Sequence, residues 1–344
     1  MGLSVGLVYN LGKHDPPAEG EPPDVHAELD SEHTVLAVAD ALREGGHEVL
    51  FIEGDAGVCE RLRATRPDIV FNMSEGIRGA SREAHVPCIL ELLGIPYTGS
   101  GPLTMAVSLD KPAAKRAFAA DGVPTPKSTV CRPGALPDRT GLKFPLFVKP
   151  AGEGSSMGIG PNSLVADEAA LHRQVEYIHR FYQQPALIEE YIDGREFTIG
   201  LLGNGDELAI LPIMEINFAP CPSEHGRIYS YQFKTQWDGD EYYQCPAPLA
   251  EDQAVLLADV AKRAFRCLDC RDVARVDIRL DQSGMPWVLE VNPLPGLVPG
   301  FSDLPREAAA AGMTYAALIN AILDYAVARQ GVALASPSTH VLTA

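Results

Sequence analysis

Apolar and polar residues along the N-terminal part of the chain alternate between short strand-like runs and longer helix-like runs. Residues 2–9, 48–52 and 68–72 are short runs rich in β-branched residues, and each ends at polar or glycine residues. Between the first two, residues 31–45 place apolar side chains at helical spacing and end in a pair of glycines. Strands that alternate with helices predict βαβ units and a parallel sheet. The fold class is therefore predicted to be α/β.

Residues 11–29 interrupt this pattern. They contain four prolines, two glycines and five acidic residues, a composition typical of a loop. Two interpretations remain, a surface insertion and a lid over a catalytic site, and the first is favoured.

The rest of the chain divides into two further units. A predicted helix at 109–121 is followed by a proline-rich linker, which marks a boundary. Domains are predicted at 1–103, 104–212 and 213–335. Predicted elements of the second and third units lie at 144–149, 168–181, 186–191, 196–202, 208–213, 252–268, 273–280, 287–291 and 314–329.

Charge and composition exclude several classes of partner. The chain of 344 residues carries 28 basic and 46 acidic residues, a formal net charge of −18. Nucleic acids and anionic membranes attract clustered Lys and Arg, so neither is expected as a partner. No run reaches the roughly 18 apolar residues of a membrane helix, and the first ten residues fit a strand better than a signal peptide. Seven cysteines, an odd number, favour reduced thiols and a cytoplasmic location.

The first stretch that suggests chemistry is residues 149–160, where a strand ends in Lys149 and a loop rich in Gly and Ser follows. Small residues let backbone N–H groups approach phosphate oxygens, and the lysine adds positive charge. No Gly-Lys-Ser/Thr follows, so this is not a Walker A loop. A glycine-rich loop alone is more often an ordinary turn, but a charged residue that ends an apolar strand needs a partner.

Residues 187–197 form a second stretch, in which an apolar strand runs into acidic residues, turns at Asp-Gly and continues through Glu196. Carboxylates and exposed backbone of this kind can bind an adenine amino group and ribose hydroxyls. Taken alone, a solvated hairpin would be the better interpretation.

The third stretch is the most specific. Arg275, Asp277 and Arg279 alternate with apolar residues and so share one strand face, as do Glu290 and Asn292 on the next strand. Adjacent strands that present Asp, Glu and Asn oxygens make a hard-cation site suited to magnesium. Charges on strands this apolar are costly to bury unless they are paired or metal-bound. A metal site is therefore favoured over a structural salt bridge.

These stretches occur in the order found in ATP-grasp enzymes, and the chain resembles the D-alanine–D-alanine ligase family over most of its length. The resemblance rests on residues 90–100, on Leu109-Asp110-Lys111, and on 245–247, 292–296 and 311–313. It implies an ATP-grasp fold of three α/β units, with ATP held between the central and C-terminal ones.

The resemblance also implies roles for individual residues. Lys111 and Lys149 would contact ATP phosphates, and the loop residues Glu153, Gly154, Ser155 and Ser156 would fold over them, with Ser155 among the catalytic groups. Glu189, Glu190 and Ile192 would bind adenine, and Glu196 the ribose. Asp277, Glu290 and Asn292 would bind two Mg²⁺ ions, which Mn²⁺ could replace. Lys234 and Arg275 would stabilise the transferring phosphoryl group and the tetrahedral intermediate.

The family's reaction proceeds through an acyl phosphate. A carboxylate attacks the γ-phosphate of ATP, and an amine then displaces phosphate to give an amide and ADP.

The sequence departs from the family where the first substrate binds. The usual His-Gly-x-x-Gly-Glu-Asp-Gly stretch is replaced by residues 71–83, without the histidine and with Arg82 near an expected acidic position. Thr235 stands where the family has a tyrosine, and Ser31-Glu32-His33 is a weak candidate for the ammonium-binding segment. Candidate substrate residues are Glu75, Arg78, Arg82, Glu83, Gly296 and Ser302. An arginine here can bind a substrate carboxylate, and a salt-bridged loop capping a helix at 83–93 is an equal alternative.

The leading hypothesis is an ATP-dependent carboxylate–amine ligase that joins two amino acids or related small molecules, with an altered substrate pocket. The alternatives are a non-catalytic ATP-binding regulator of the same fold and a kinase-like enzyme that stops at the acyl phosphate. The expected partners are small carboxylates and amines, and the resemblance is compatible with a homodimer.

Overall fold

The computed structural model contains three β-sheets within the residues that it describes, which are 2–12, 22, 24–25, 27–222, 226–237 and 239–332. Most of the predicted insertion at 11–29 and the last residues of the third predicted unit lie outside the described residues.

The N-terminal sheet is parallel, which confirms the βαβ prediction. Its strands β1 (Ser4–Tyr9), β2 (Glu48–Glu53) and β3 (Ile69–Asn72) lie in the order β2-β1-β3. The predicted helix at 31–45 is α1 (Glu32–Glu44), and the Ser31 hydroxyl accepts a hydrogen bond from the Thr34 amide as its N-cap. Helices α2 (Val58–Thr65) and α3 (His85–Leu93) follow, the latter after a 3₁₀ turn, Arg82–Ala84.

The helix predicted at 109–121 is confirmed as α5 (Lys111–Ala120), which follows a separate helix, α4 (Pro102–Leu109). Asp110 separates them because its backbone leaves the helical region, at φ −78° and ψ 86°, and its side chain caps α5 through the Ala113 amide. This break places Lys111 at the first position of a helix.

The second sheet is antiparallel. Its strands β4 (Ser128–Cys131), β5 (Leu146–Pro150), β6 (Leu164–Val165) and β7 (Ala186–Glu190) lie in the order β4-β7-β5-β6. Helix α6 (Glu168–Phe181) packs its apolar residues on one face, as predicted for 168–181.

The third sheet has six strands, in the order β11-β10-β8-β12-β13, with β9 paired to β8. They are β8 (Gly194–Leu202), β9 (Ala209–Ile210), β10 (Met214–Ile216), β11 (Tyr243–Gln244), β12 (Val273–Asp281) and β13 (Pro286–Asn292). The prediction of a single strand at 208–213 is wrong, because only Ala209–Ile210 pairs with β8 there and a separate strand, β10, follows. Helices α7 (Tyr231–Gln236) and α8 (Glu251–Cys267) complete this part, and α8 packs on the sheet.

The predicted division at residues 103 and 212 stays a prediction. Strand β8 precedes residue 212 in sequence, yet it pairs with β10 and β12, which follow it. The third sheet therefore extends across the second predicted boundary.

The last two helices, α9 (Asp303–Ala310) and α10 (Tyr315–Gln330), join the core of the N-terminal sheet. The Asn320 amide donates to the Ala41 carbonyl at 2.7 Å and so ties α10 to α1. No single helix in the described part of the chain is long and apolar enough to cross a membrane. The helices α9 and α10, which are bent by 104° relative to each other, together reach the length and apolar composition of a membrane span, but by length and composition alone.

Candidate active site

Two adjoining clefts hold most of the residues that the sequence singled out. The first, here the sheet cleft, is about 620 Å³ and lies between the second and third sheets. Phe147, Lys149 and Glu189 line it from β5 and β7, and Asp277 and Glu290 from β12 and β13.

The second, here the wide cleft, is about 1440 Å³ and lies between the N-terminal part of the chain and the third sheet. Tyr229, Lys234 and Glu290 line both clefts, so the clefts meet at these side chains. A reaction between a ligand in each cleft would occur there.

The structure brings the predicted residues together in these two places. The sheet cleft is lined by Lys149, Ser156, Glu189, Glu190, Ile192, Glu196, Lys234, Asp277 and Glu290. The wide cleft is lined by Glu75, Glu83, Lys111, Gly154, Ser155, Lys234, Arg275, Glu290, Asn292, Gly296 and Ser302. Glu153, Arg78 and Arg82 line neither cleft, and Arg78 is exposed.

Glu189 lies between two buried ammonium groups. Its carboxylate oxygens are 2.9 Å from Lys149 Nζ and 2.8 Å from Lys115 Nζ, and the residue is only 2% exposed. Burial alone would raise the pKa of Glu189, but the two lysines outweigh burial and lower it. The carboxylate expected to bind adenine therefore already has two protein partners. Sequence reasoning missed Lys115, although it follows Lys111 by one helical turn on α5.

Glu290 stays ionised because several cations surround it. Lys111 Nζ is 3.2 Å from Glu290 Oε2 and also donates to the Glu153 carbonyl at 2.5 Å. Burial raises the pKa of Glu290, but Lys111, Lys149 and two further cations outweigh burial and bring it to about 2. Lys111 thus links the glycine-rich loop to the proposed metal-binding strand.

The third predicted stretch assembles as expected across β12 and β13. Asp277 lies opposite Glu290, and Arg275 lies opposite Asn292. Arg275 holds the Asp277 carboxylate with two hydrogen bonds of 3.0 Å, and the Asn292 amide donates to the same carboxylate at 3.1 Å. Thr198 Oγ1 adds a bond of 2.7 Å from β8. Every strand of this group contributes a polar side chain to one buried network.

Asp303, which sequence reasoning missed as a site residue, extends that network. Its Oδ2 lies 3.5 Å from Arg275 Nη1, and its Oδ1 accepts a bond of 2.9 Å from the Tyr229 hydroxyl. Lys234 Nζ lies 4.6 Å from the centre of the Tyr229 ring. Burial, followed by the positive charge of Arg275, lowers the pKa of Lys234.

Glu196, expected to bind ribose, is paired with Arg279. The guanidinium donates to Glu196 Oε2 at 2.8 Å and to the Ile192 carbonyl at 2.9 Å, and it lies 4.8 Å from the centre of the Tyr191 ring. The alternation along β12 predicts that Arg279 shares a face with Arg275, but it does not show which carboxylate Arg279 meets. The pairing depends on β8 lying beside β12.

The glycine-rich loop has a backbone suited to binding anions. Ser155 and Ser156 have positive φ values of 47° and 59°, which turn successive N–H groups toward one side. The Gly154 amide donates to Glu28 Oε1 at 2.5 Å, and the Gly158 amide donates to Asp24 Oδ2 at 2.8 Å. The described end of the predicted insertion therefore contacts this loop.

Arg82 joins the same loop to the N-terminal part of the chain. Its guanidinium donates to both oxygens of Glu28, to Glu153 Oε2 at 2.8 Å and to the Gly152 carbonyl at 3.1 Å. Arg82 is therefore salt-bridged, as the alternative for residues 71–83 predicts, but α3 begins at His85 and has no side-chain cap. Sequence reasoning did not identify Glu28, because its partner is 54 residues away.

Comparisons with known proteins show the family of this chain. Residues 135–324 match the family model of the D-ala D-ala ligase C-terminus. Uncharacterized protein y4sG of Sinorhizobium fredii is 42% identical over 299 residues, which cover 84% of this chain and 86% of that protein. The D-alanine–D-alanine ligase of Bordetella pertussis is 41% identical over 244 residues, which cover 70% and 73%.

A solved structure shows the same fold. The D-alanine–D-alanine ligase of Bacillus anthracis complexed with ATP superposes with a TM-score of 0.74 at 22% identity, over 96% of this chain and 99% of that one. The predicted ATP-grasp fold is thereby confirmed. This chain belongs to the D-alanine–D-alanine ligase family of ATP-dependent, ADP-forming carbon–nitrogen ligases.

Proposed function

We propose that this protein joins the carboxylate of one amino acid to the amine of a second, at the junction of the two clefts. One observation carries the proposal: Lys234 and Glu290 line both clefts, and Arg275, Asp277 and Asn292 surround that junction. ATP would occupy the sheet cleft and the amino acids the wide cleft, so that the γ-phosphate meets the substrate carboxylate at the junction.

The sheet cleft supports this placement of the nucleotide. Phe147 and Leu289 supply apolar surface for a base, and the chain from Glu190 to Ile192 supplies backbone groups. Lys149 keeps its positive charge, because Glu189 and Glu290 outweigh the effect of burial and raise its pKa. Lys149 is therefore suited to bind a phosphate oxygen.

The residues at the junction fit magnesium. Asp277, Glu290 and Asn292 would hold the proposed two ions, because carboxylate and amide oxygens are the donors that hard cations prefer. The Asn292 nitrogen donates to Asp277, which leaves its carbonyl oxygen for another partner. Bound ions would neutralise phosphate charge. Titration with Mn²⁺ followed by electron paramagnetic resonance should count the ions.

The chemistry balances as two displacements. A carboxylate oxygen attacks the γ-phosphorus, and the bond from that phosphorus to the bridging oxygen of ADP breaks. An amine nitrogen then attacks the acyl carbon, phosphate leaves with its bridging oxygen, and the nitrogen loses a proton. Lys234 and Arg275 lie where negative charge develops in both steps, and fixed positive charge there stabilises the transition states.

The proposed substrates are amino acids other than D-alanine. The Bordetella pertussis relative is named for D-alanine. In this chain Arg82 ties its loop to Glu28 and Glu153, and the carboxylates of Glu75, which is half-buried, and Glu83, which is buried, line the wide cleft.

The test is ADP release with paired amino acids. Release should require both a carboxylate and an amine, and Glu290→Gln should lower turnover at least about 1000-fold because it removes a charge at the junction. Glu176→Gln, on the exposed face of α6, is the matched control and should keep full turnover.

Two outcomes would contradict the proposal. Near-full turnover in Glu290→Gln would show that the junction takes no part in the reaction. Thermal stabilisation by Mg-ATP, with no ADP release across a broad panel of D- and L-amino acids, would favour the non-catalytic regulator instead.

A further inference from the structure

One end of the wide cleft carries more negative charge than the described part of the chain neutralises. Asp30, Glu75 and Glu83 all line this end, and Glu28 lies beside them. Glu28 is paired with Arg82 and accepts the Gly154 amide. The other three carboxylates form the set that is called here the acidic end.

Glu83 shows this imbalance most clearly. It is 7% exposed and lines the cleft, yet no described residue donates a hydrogen bond to its carboxylate or forms an ion pair with it. Asp30 Oδ2 is likewise buried without a hydrogen-bond partner among the described residues. Buried charge normally has a partner, so these oxygens indicate a cationic ligand.

The acidic end is strained electrostatically without such a ligand. Burial and then the neighbouring carboxylates raise the pKa of Glu83 to about 8 and that of Glu75 well above its usual range. Burial likewise raises the pKa of Asp30 to about 8. Arg82 opposes this effect at both residues and Lys111 opposes it at Glu83, but only in part. The Arg82 guanidinium is already bound to Glu28, Glu153 and the Gly152 carbonyl, and Lys111 is paired with Glu290.

The wide cleft also has cationic lining residues. Lys234 and Arg275 line it, at the junction where the proposed function places a substrate carboxylate. An amino acid lying along the cleft would therefore direct its carboxylate to the junction and its nitrogen to the acidic end. One α-ammonium group carries a single positive charge, whereas the acidic end offers three carboxylates.

We propose that the first substrate is a diamino acid, whose side-chain ammonium binds among Asp30, Glu75 and Glu83 together with its α-ammonium. Two ammonium groups would neutralise the acidic end far better than one. This inference rests on the proposed function, since the place of the substrate carboxylate is assigned through the proposed reaction.

The test compares diamino acids with neutral amino acids of the same length. Ornithine is paired with norvaline, and lysine with norleucine, each as the D- and L-isomer, with ADP release as the readout. We expect kcat/KM to be at least about 10-fold higher for the better diamino acid than for its neutral counterpart, the effect of about one ion pair.

Two variants test whether the acidic end causes the preference for a diamino acid. Glu83→Gln and, separately, Asp30→Asn should each reduce the ratio of kcat/KM between the diamino and neutral partners at least about fivefold. Glu60→Gln, on the exposed face of α2, is the matched control and should leave the ratio unchanged. Asp30→Asn keeps the test decisive if Glu83→Gln does not fold. Thermal shifts with a non-hydrolysable ATP analogue and Mg²⁺ provide a second readout, in which ornithine should stabilise the protein more than norvaline does.

The outcomes separate this inference from the proposed function. Equal kcat/KM values for each diamino acid and its neutral counterpart, with ADP released from other amino acid pairs, would overturn the diamino substrate and leave the ligase intact. Absence of ADP release from every pair would contradict the ligase. If neither substitution changed the ratio of kcat/KM between diamino and neutral amino acids, the second ammonium would have to bind elsewhere, and the inference would be overturned.

Discussion

The sheet cleft and the acidic end of the wide cleft both bury carboxylates, but they differ in how those charges are neutralised. In the sheet cleft Glu189 has two lysines, and Glu196 and Asp277 each have an arginine. At the acidic end, Asp30, Glu75 and Glu83 have no comparable partner among the described residues. Among the described residues, the buried carboxylates of the sheet cleft have cationic partners, and those of the acidic end do not.

The two regions therefore differ in how they would bind a ligand. Paired charges hold the strands and lysines of the sheet cleft in place before a nucleotide arrives, so little reorganisation is needed on binding. Carboxylates without a cationic partner among the described residues destabilise the acidic end, and under the proposal above a bound cation would offset that cost. Selectivity for a cation follows, because a neutral ligand leaves the carboxylates unpaired.

The largest effect should come from breaking the paired region. Glu189→Gln leaves Lys115 and Lys149 buried beside a neutral amide, and loss of one partner from a buried ion pair typically costs about 3–5 kcal/mol. Urea denaturation should show a decrease of that size in the free energy of unfolding. Adding Lys115→Met to this variant should restore part of it, and a loss below about 1 kcal/mol would contradict the described pairing.

A smaller effect is expected at Arg82, which lies between the two regions. Arg82→Met removes charged hydrogen bonds to Glu28 and Glu153 and should lower the free energy of unfolding by about 2 kcal/mol. It should also raise KM for ATP, because the glycine-rich loop loses its tie to the N-terminal part of the chain. Arg78→Met, at an exposed position outside both clefts, is the control and should change stability by no more than about 0.5 kcal/mol.

The smallest effect should be a gain. Glu83 has a pKa near 8 in the folded protein and a lower one when unfolded, so its contribution to stability falls as pH rises from about 4.5 to about 8. Glu83→Gln removes this penalty and should raise the melting temperature at pH 8 by about 2 °C or more without ligand. The gain should vanish near pH 4. A lower melting temperature at pH 8 would show that Glu83 has a stabilising partner.

Sequence patterns predicted which polar side chains lie together on β12 and β13. The period-2 alternation places Arg275 and Asp277 on one face, and the sheet register brings Asn292 and Glu290 opposite them. The same reasoning failed at residues 208–213, where only two residues pair with a neighbouring strand. It also did not reveal the separate helix α4, which ends where Asp110 caps α5. Local apolar content does not show either effect.

The sequence by itself determined the α/β class, the order of the motifs and the family, because these depend on periodicity and on short runs of residues. Tertiary structure alone decided the partners of the charges. Arg82 meets Glu28, Glu196 meets Arg279 and Lys115 meets Glu189 across separations of 54, 83 and 74 residues. The energy of a buried charge depends on what lies within a few ångströms of it, and only the packed sheets set those distances.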